Sequence, residues 1–371
     1  MRVLHAGKFY APVHGGIETV LAALCEDTAA RWDVRVVVAN EGRQTVRERR
    51  QGVDVVRVGT LARALSVSLS PGLPRELWRE PADCVVLHEP NPLVGTLLAI
   101  HRPAGRLIVW HHSDIVRPAW ANPTYGRLQR ALYRRADCVI VASPPMAERS
   151  AAVQACRRVE VIPYGVAAEP VGNAQLDPAS EVGRALARLP EPRVLSVGRL
   201  VYYKGLEVLL EALTRTGGGC AIVGEGPRES ALRRRIGTLG LGDRVALLGR
   251  CTDDEVRGLY QSCDVFVLPS TARTEAFGLV QVEAMMNGLP VISTNLPTGV
   301  PWVNEHGVTG LVVPPGDATA LAAALRRLLE DPPLRAKLGD AARARALERF
   351  TRPRMVDRFV HVVESVVGAD G

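Results

Sequence analysis

The feature that most constrains this chain is an alternation, sustained from end to end, of short apolar runs with helical patterns. In the first half the strand-like runs are Arg2 to Ala6, Val34 to Ala39, Val53 to Val58, Cys84 to His88, Leu107 to Trp110, Cys138 to Ala142 and Val159 to Pro163. In the second they are Arg193 to Val197, Cys220 to Val223, Arg244 to Leu248, Val265 to Leu268, Pro290 to Ser293 and Gly310 to Val313. Strands alternating with helices are the signature of an open parallel sheet covered on both faces, so the expected class is α/β, with each set forming its own Rossmann-like sheet.

At 371 residues the chain is long for one core, and a prior of about 150 residues per domain gives two. Between the two sets, Val166 to Pro192 is poor in strand pattern and carries Pro170, Gly172, Pro178, Pro190 and Pro192. That is the composition of a linker. The expected division is a first domain of residues 1–168, a linker region of 169–192 and a second domain of 193–352. The last helical run, about Pro353 to Val367, puts Met355, Val356, Phe359, Val362 and Val363 on one stripe, which needs a surface to pack against.

A hydrophobic content of 47% with only modest charge describes a soluble globular protein. No apolar run is long enough to span a bilayer, and the N-terminus reads as a strand and not as a signal peptide, so a cytoplasmic location is expected. The net charge of +7 suits anionic ligands or an anionic membrane face without indicating nucleic acid. Arginine supplies nearly all of the basic charge, and the lysines are Lys8, Lys204 and Lys337; a compact, flexible ammonium where the composition ordinarily supplies a guanidinium draws attention to Lys8 and Lys204. The seven cysteines show neither a Cys-x-x-Cys pair nor zinc-like spacing, and read as free thiols, several of them buried in strands, in a reducing compartment. The arginine-rich run Arg127 to Arg135 gives a basic amphipathic helix, read as a solvated face, with peripheral membrane docking at the inner face as the sharper alternative.

The chemistry concentrates in loops that follow strands. Thr274-Glu275-Ala276-Phe277-Gly278-Leu279-Val280-Gln281-Val282-Glu283 follows the strand Val265 to Leu268 and opens a helix. A helix N-terminus at the carboxyl edge of a sheet offers unpaired N–H groups and positive potential to a phosphate. Glu275 stands before that helix and Glu283 inside it, spaced to hold two parts of one long ligand. After Arg193 to Val197 comes Gly198-Arg199-Leu200-Val201-Tyr202-Tyr203-Lys204-Gly205, whose Arg199 and Lys204 can converge on a diphosphate. Gly224 and Gly226 after the next strand permit close approach of backbone to a ligand, and Arg250 follows the one after. Thr252-Asp253-Asp254-Glu255 has the look of a metal cluster but reads better as a helix capping box.

In the first half, Gly7-Lys8-Phe9-Tyr10-Ala11-Pro12-Val13-His14-Gly15-Gly16-Ile17-Glu18 joins the first strand to the first helix, and its paired glycines expose N–H groups. It is not Gly-x-Gly-x-x-Gly, which counts against a dinucleotide enzyme. Leu87-His88-Glu89-Pro90 and Trp110-His111-His112-Ser113-Asp114-Ile115-Val116 also follow strands and bring polar groups to the same edge.

Taken together, the Glu-x7-Glu segment, the Gly-Arg-x-x-x-x-Lys-Gly loop and the Gly-Gly-x-Glu loop resemble the family-four retaining glycosyltransferases of GT-B fold, and Trp110-His111-His112-Ser113-Asp114-Ile115-Val116 resembles the Trp-His-Ser-Asp-Ile-Val of their bacterial O-antigen mannosyltransferases with one additional histidine. The resemblance implies two Rossmann-like domains facing across a cleft, with the C-terminal helix, about 353–371, crossing back to the first. It implies retention of anomeric configuration and no metal or other cofactor, with a nucleoside-diphosphate sugar, GDP-mannose or a UDP-hexose, as donor. The acceptor is a glycan, a lipid-linked or a small-molecule hydroxyl. It implies catalytic roles for His112, Arg199, Lys204 and Glu275. Donor contacts fall to Gly15, Gly16, Gly198, Gly224, Gly226, Arg250, Phe277, Gly278, Leu279 and Glu283, and further sugar or acceptor contacts to Lys8, Glu18, His88, His111 and Asp114. His112 aligns with the family histidine and His111 is the alternate. A sugar-nucleotide epimerase or hydrolase, or a non-catalytic sugar-nucleotide-binding protein, would share these loops.

Overall fold

The computed structural model describes residues 1–13, 15–64, 67–101, 103–114, 122–167 and 176–368. His14, Ile115, Val116 and the expected boundary at 168/169 lie outside the described residues. The chain divides into two compact units, one of Met1–Gly165 with Arg352–Gly371, the other of Val166–Thr351.

The first unit carries β1 (Arg2–Ala6), β2 (Asp33–Ala39), β3 (Val46–Arg50), β4 (Val53–Val58), the hairpin β5 (Ala62–Ala64) and β6 (Val67–Leu69), then β7 (Cys84–Glu89), β8 (Arg106–His111), β9 (Cys138–Val141) and β10 (Val159–Val161). Its main sheet has the order β10-β9-β8-β7-β1-β2-β4-β3 and is parallel except at β3, which pairs antiparallel with β4. The central strands β7, β8 and β9 are buried along their length except for Arg106 at the start of β8, which is why they read as continuous apolar runs. β3 escapes sequence reading because its residues, Val-Arg-Glu-Arg-Arg, are all exposed.

The terminal helix Arg352–Val367 closes this unit. Its stripe of Met355, Val356, Phe359, Val362, Val363 and Val366 is buried. Phe359 meets Trp32, Trp110 and His5, and Arg352 binds both carboxylate oxygens of Asp27 at 2.7 and 2.8 Å.

The second unit carries β11 (Arg193–Val197), β12 (Gly219–Val223), β13 (Val245–Gly249), β14 (Val265–Leu268), β15 (Val291–Thr294) and β16 (Gly310–Val313), all parallel in the order β13-β12-β11-β14-β15-β16. The chain winds outward from β11 in one direction and from β14 in the other, so the two central strands mark a topological switch point. One face of the sheet packs on the helices Leu206–Leu213 and Ala318–Glu330 through a cluster that includes Val194, Leu209, Ile222, Val265, Leu325 and Leu328. The resulting rigid strands set the loops at their carboxyl ends.

Candidate functional site

Loops leaving adjacent strands on either side of the switch point meet by construction, and here they bring Lys204, after β11, to Glu275, after β14. The Lys204 ammonium lies 2.6 Å from Oε2 of Glu275, with the side chains 13% and 11% exposed. Ser270 Oγ donates to the same oxygen at 3.0 Å. The loops are laced by backbone as well, since Thr271 N–H donates to the Tyr203 carbonyl at 2.8 Å. Arg199, on the first of these loops, is exposed beside the pair. A crevice lined by Gly198, Arg199, Lys204, Leu268 and Pro269 lies over these strand ends.

Gly224 shows why glycine is needed nearby. Its φ of 130° disfavours any side chain, and a Cβ there would collide with the Gly198 carbonyl oxygen. A Cβ at Gly226 would meet Leu200 backbone in the same way, so the close approach these glycines permit is between neighbouring loops. Arg250 follows β13 and is exposed.

The helix Leu279–Met286 begins at Gly278, whose φ of 73° sits in the left-handed region and turns the chain from loop into helix. Glu275 precedes the helix and Glu283 falls in its second turn. Phe277 is buried against Trp302 and Phe350 and anchors the turn. Glu283 accepts from Tyr260 Oη at 3.0 Å, and burial pushes its carboxyl above the usual carboxylate range. Ser270 and Tyr260 are site neighbours that sequence reasoning missed. Ser270 stood in view after Leu268-Pro269, whereas Tyr260 lies in the apolar pattern of the preceding helix and gives no signal. Thr252 and Glu255 form the expected capping box at the start of that helix.

In the first unit, His111 and His112 point to opposite sides of the sheet. His111 Nδ1 lies 2.8 Å from Tyr133 Oη and its Nε2 lies 3.4 Å from Asp114 Oδ1, which also accepts from Ser150 Oγ at 2.8 Å. Glu89, beside His111 in register, is fully buried and accepts from Tyr125 Oη at 2.9 and 3.1 Å; burial raises its carboxyl.

His112 ends a chain of buried imidazoles running across three adjacent strands. Nδ1 of His5 is 3.0 Å from Nε2 of His88, Nδ1 of His88 is 2.9 Å from Nε2 of His112, and Nδ1 of His112 is 2.6 Å from Tyr164 Oη. Burial drives His5 and His112 down to about 3 and His88 well below its ordinary value, so the chain is neutral near pH 7. Both ring nitrogens of His112 are engaged inside the unit. Lys8 stands 5.6 Å over the Phe9 ring, and Glu18 curls back toward Gly15 in the first turn of its helix, which starts at Gly16.

A pair of doubly wound units, one presenting cations and carboxylates at its switch point, defines a glycosyltransferase of the GT-B class. A family model described as glycosyl transferases group 1 matches residues 183–345, and one described as a glycosyl transferase 4-like domain matches residues 15–165. O-antigen chain mannosyltransferase C of Escherichia coli is 31% identical over 372 residues, covering 99% of each chain. D-rhamnosyltransferase WbpZ of Pseudomonas aeruginosa is 34% identical, covering 95% of this chain and 92% of the relative. Anabaena HepE, solved in complex with UDP, superposes with a TM-score of 0.80 at 25% identity over 98% of this chain and 100% of its own. This chain belongs to the family-four glycosyltransferases of GT-B fold, enzymes that transfer a sugar from a nucleotide sugar. Among the described residues no helix is long and apolar enough to cross a membrane. The cysteines are free, and burial raises each thiol above its ordinary range.

Proposed function

We propose that this enzyme moves a mannosyl group, with retention of configuration and without a metal, from GDP-mannose to a hydroxyl of a glycan or lipid-linked acceptor. The observation that carries the reading is the convergence of Lys204 and Glu275 at the switch point of the second unit, with Arg199 on the same loop as Lys204. A diphosphate laid against this edge meets Arg199, Lys204 and the N–H groups of Gly278 and Leu279. Those groups neutralise the charge that grows on the leaving phosphate, the task a divalent cation performs elsewhere. Glu275 holds hexose hydroxyls, and Glu283, oriented by Tyr260, holds the ribose. Gly198, Gly224, Gly226 and Arg250 form the nucleotide side of the pocket.

In the first unit, Lys8 and Glu18 are assigned to the acceptor, and Gly15 and Gly16 to the donor. His112 reaches the donor sugar by exchanging its Tyr164 or His88 partner for a sugar hydroxyl, with His111 and Asp114 as the alternate pair. No protein nucleophile is required, because positioning and charge stabilisation carry the step and the leaving phosphate assists acceptor attack on the same face. Mannose is favoured over a UDP-hexose by the Trp-His-His-Ser-Asp-Ile-Val segment and the mannosyltransferase relative. The arginine face of the helix Asn122–Arg135 suits peripheral contact with an anionic membrane.

The test is transfer from GDP-mannose and from UDP-hexoses, each in excess chelator, with the anomeric configuration of the product read by NMR. An α-linked product from GDP-mannose is expected. An inverted product, or activity that returns only with magnesium or manganese, would overturn the reading.

A further inference from the structure

The second unit already satisfies the cation that a diphosphate would need. Lys204 is held at 2.6 Å by Glu275, both side chains nearly nine-tenths buried, and Ser270 donates to the same carboxylate oxygen. Removing one partner from such a pair leaves the other charge in a poorly solvated place, which costs far more than breaking an exposed pair. A nucleoside diphosphate arriving at this edge therefore has two courses. It draws Lys204 away and strands the Glu275 carboxylate, or it shares the ammonium and sits as a second anion within a few ångströms of that carboxylate. Either course penalises the free nucleotide. A nucleotide sugar differs in one respect: its hexose carries hydroxyls, which are hydrogen-bond donors, to the carboxylate that the diphosphate disturbs.

We propose that Glu275 is an intramolecular competitor of the diphosphate for Lys204, so that the enzyme discriminates against its own nucleoside diphosphate product and in favour of the sugar conjugate. The inference rests on the donor-site reading above and adds to it a specificity device. Glu275 both recognises the sugar and withholds Lys204 from ligands that lack one. Departure of the hexosyl group removes the hydroxyls that compensated the carboxylate, and re-formation of the Lys204 pair then favours release of the product. The topology is what makes the device available, because the cation and the carboxylate leave the two strands that flank the switch point.

A sign change follows that a carboxylate serving only as a sugar ligand would not produce. Glu275→Gln keeps the shape and the hydrogen bonding of the side chain but removes its charge, so binding of free GDP and UDP tightens by roughly tenfold, the scale of one charge-assisted hydrogen bond. Turnover of the nucleotide sugar falls in the same variant, and product inhibition by the nucleoside diphosphate becomes stronger. Glu275→Ala, which removes the hydrogen bond to Ser270 as well, gives the same direction for the free nucleotide.

Isothermal titration of the full chain with GDP and with UDP, for the wild type, Glu275→Gln, Glu275→Ala and Lys204→Met, is the test. Expected are measurable binding of one nucleotide by the wild type, weaker binding by Lys204→Met and tighter binding by both Glu275 variants. If Lys204→Met weakens binding but neither Glu275 variant tightens it, the competitor role is overturned and the donor-site reading stands. If Lys204→Met leaves binding unchanged, the competitor role falls; if the wild type binds neither nucleotide, both fall together.

Discussion

His111 and His112 are neighbours in sequence, yet each enters a different polar network, one with Tyr133 and Asp114, the other with His88 and Tyr164. Alternation along a strand predicts that separation. What alternation does not give is the length of the second network, because His5, His88 and His112 lie far apart in sequence and meet only when β1, β7 and β8 are laid side by side. The chain has a thermodynamic consequence. These imidazoles are held neutral when folded, with His5 and His112 lowered to about 3, whereas in the unfolded chain they titrate near 6.5. Below pH 6.5 the unfolded state takes up protons that the folded state refuses, so stability is level above that pH and falls as pH drops through it toward 3. Between pH 7 and pH 5, His5 and His112 each account for about 2 kcal/mol of loss. Urea unfolding of His5→Phe at the two pH values should show a loss smaller by about that amount than the wild type. An identical loss would mean that His5 is not held neutral.

At the scale of elements, sequence pattern reads well wherever burial is two-sided or a helix end is chemically marked. The apolar runs became strands within a residue or two, and Thr252 with Glu255 became a capping box. The pattern fails at β3, whose exposed charged residues are paired only with β4, and at the hairpin of β5 and β6, where three-residue strands leave no period to read. The C-terminal stripe announced its need for a partner, and its partners, the helix Gly16–Thr28 and the aromatic cluster of Trp32 and Trp110, came from the fold. Phe359 is the fully buried centre of that seam. Phe359→Ala should cost about 3–5 kcal/mol of stability, as large-to-small changes of a buried aromatic do. A loss under 1 kcal/mol in denaturant unfolding would show that the helix Arg352–Val367 is not an integral part of the first unit.

At the scale of the whole molecule, the placement of Arg199, Lys204, Arg250 and Glu275 was legible because each follows a strand, and strand ends at a switch point are where open α/β sheets bind ligands. The pairing of Lys204 with Glu275 was not legible. They are distant in sequence, and only the strand order that sets β11 beside β14 brings them within 2.6 Å. The central claim is that the cations of this edge act on charge developing in the leaving diphosphate. Its most direct test is the comparison, in excess chelator, of transfer rate and donor affinity for Arg199→Ala and Lys204→Ala. The account predicts that each variant loses about a hundredfold or more in kcat, the scale of one lost transition-state donor, while donor affinity changes by less than about tenfold. Unchanged kcat in both variants, or losses confined to donor affinity, would contradict it.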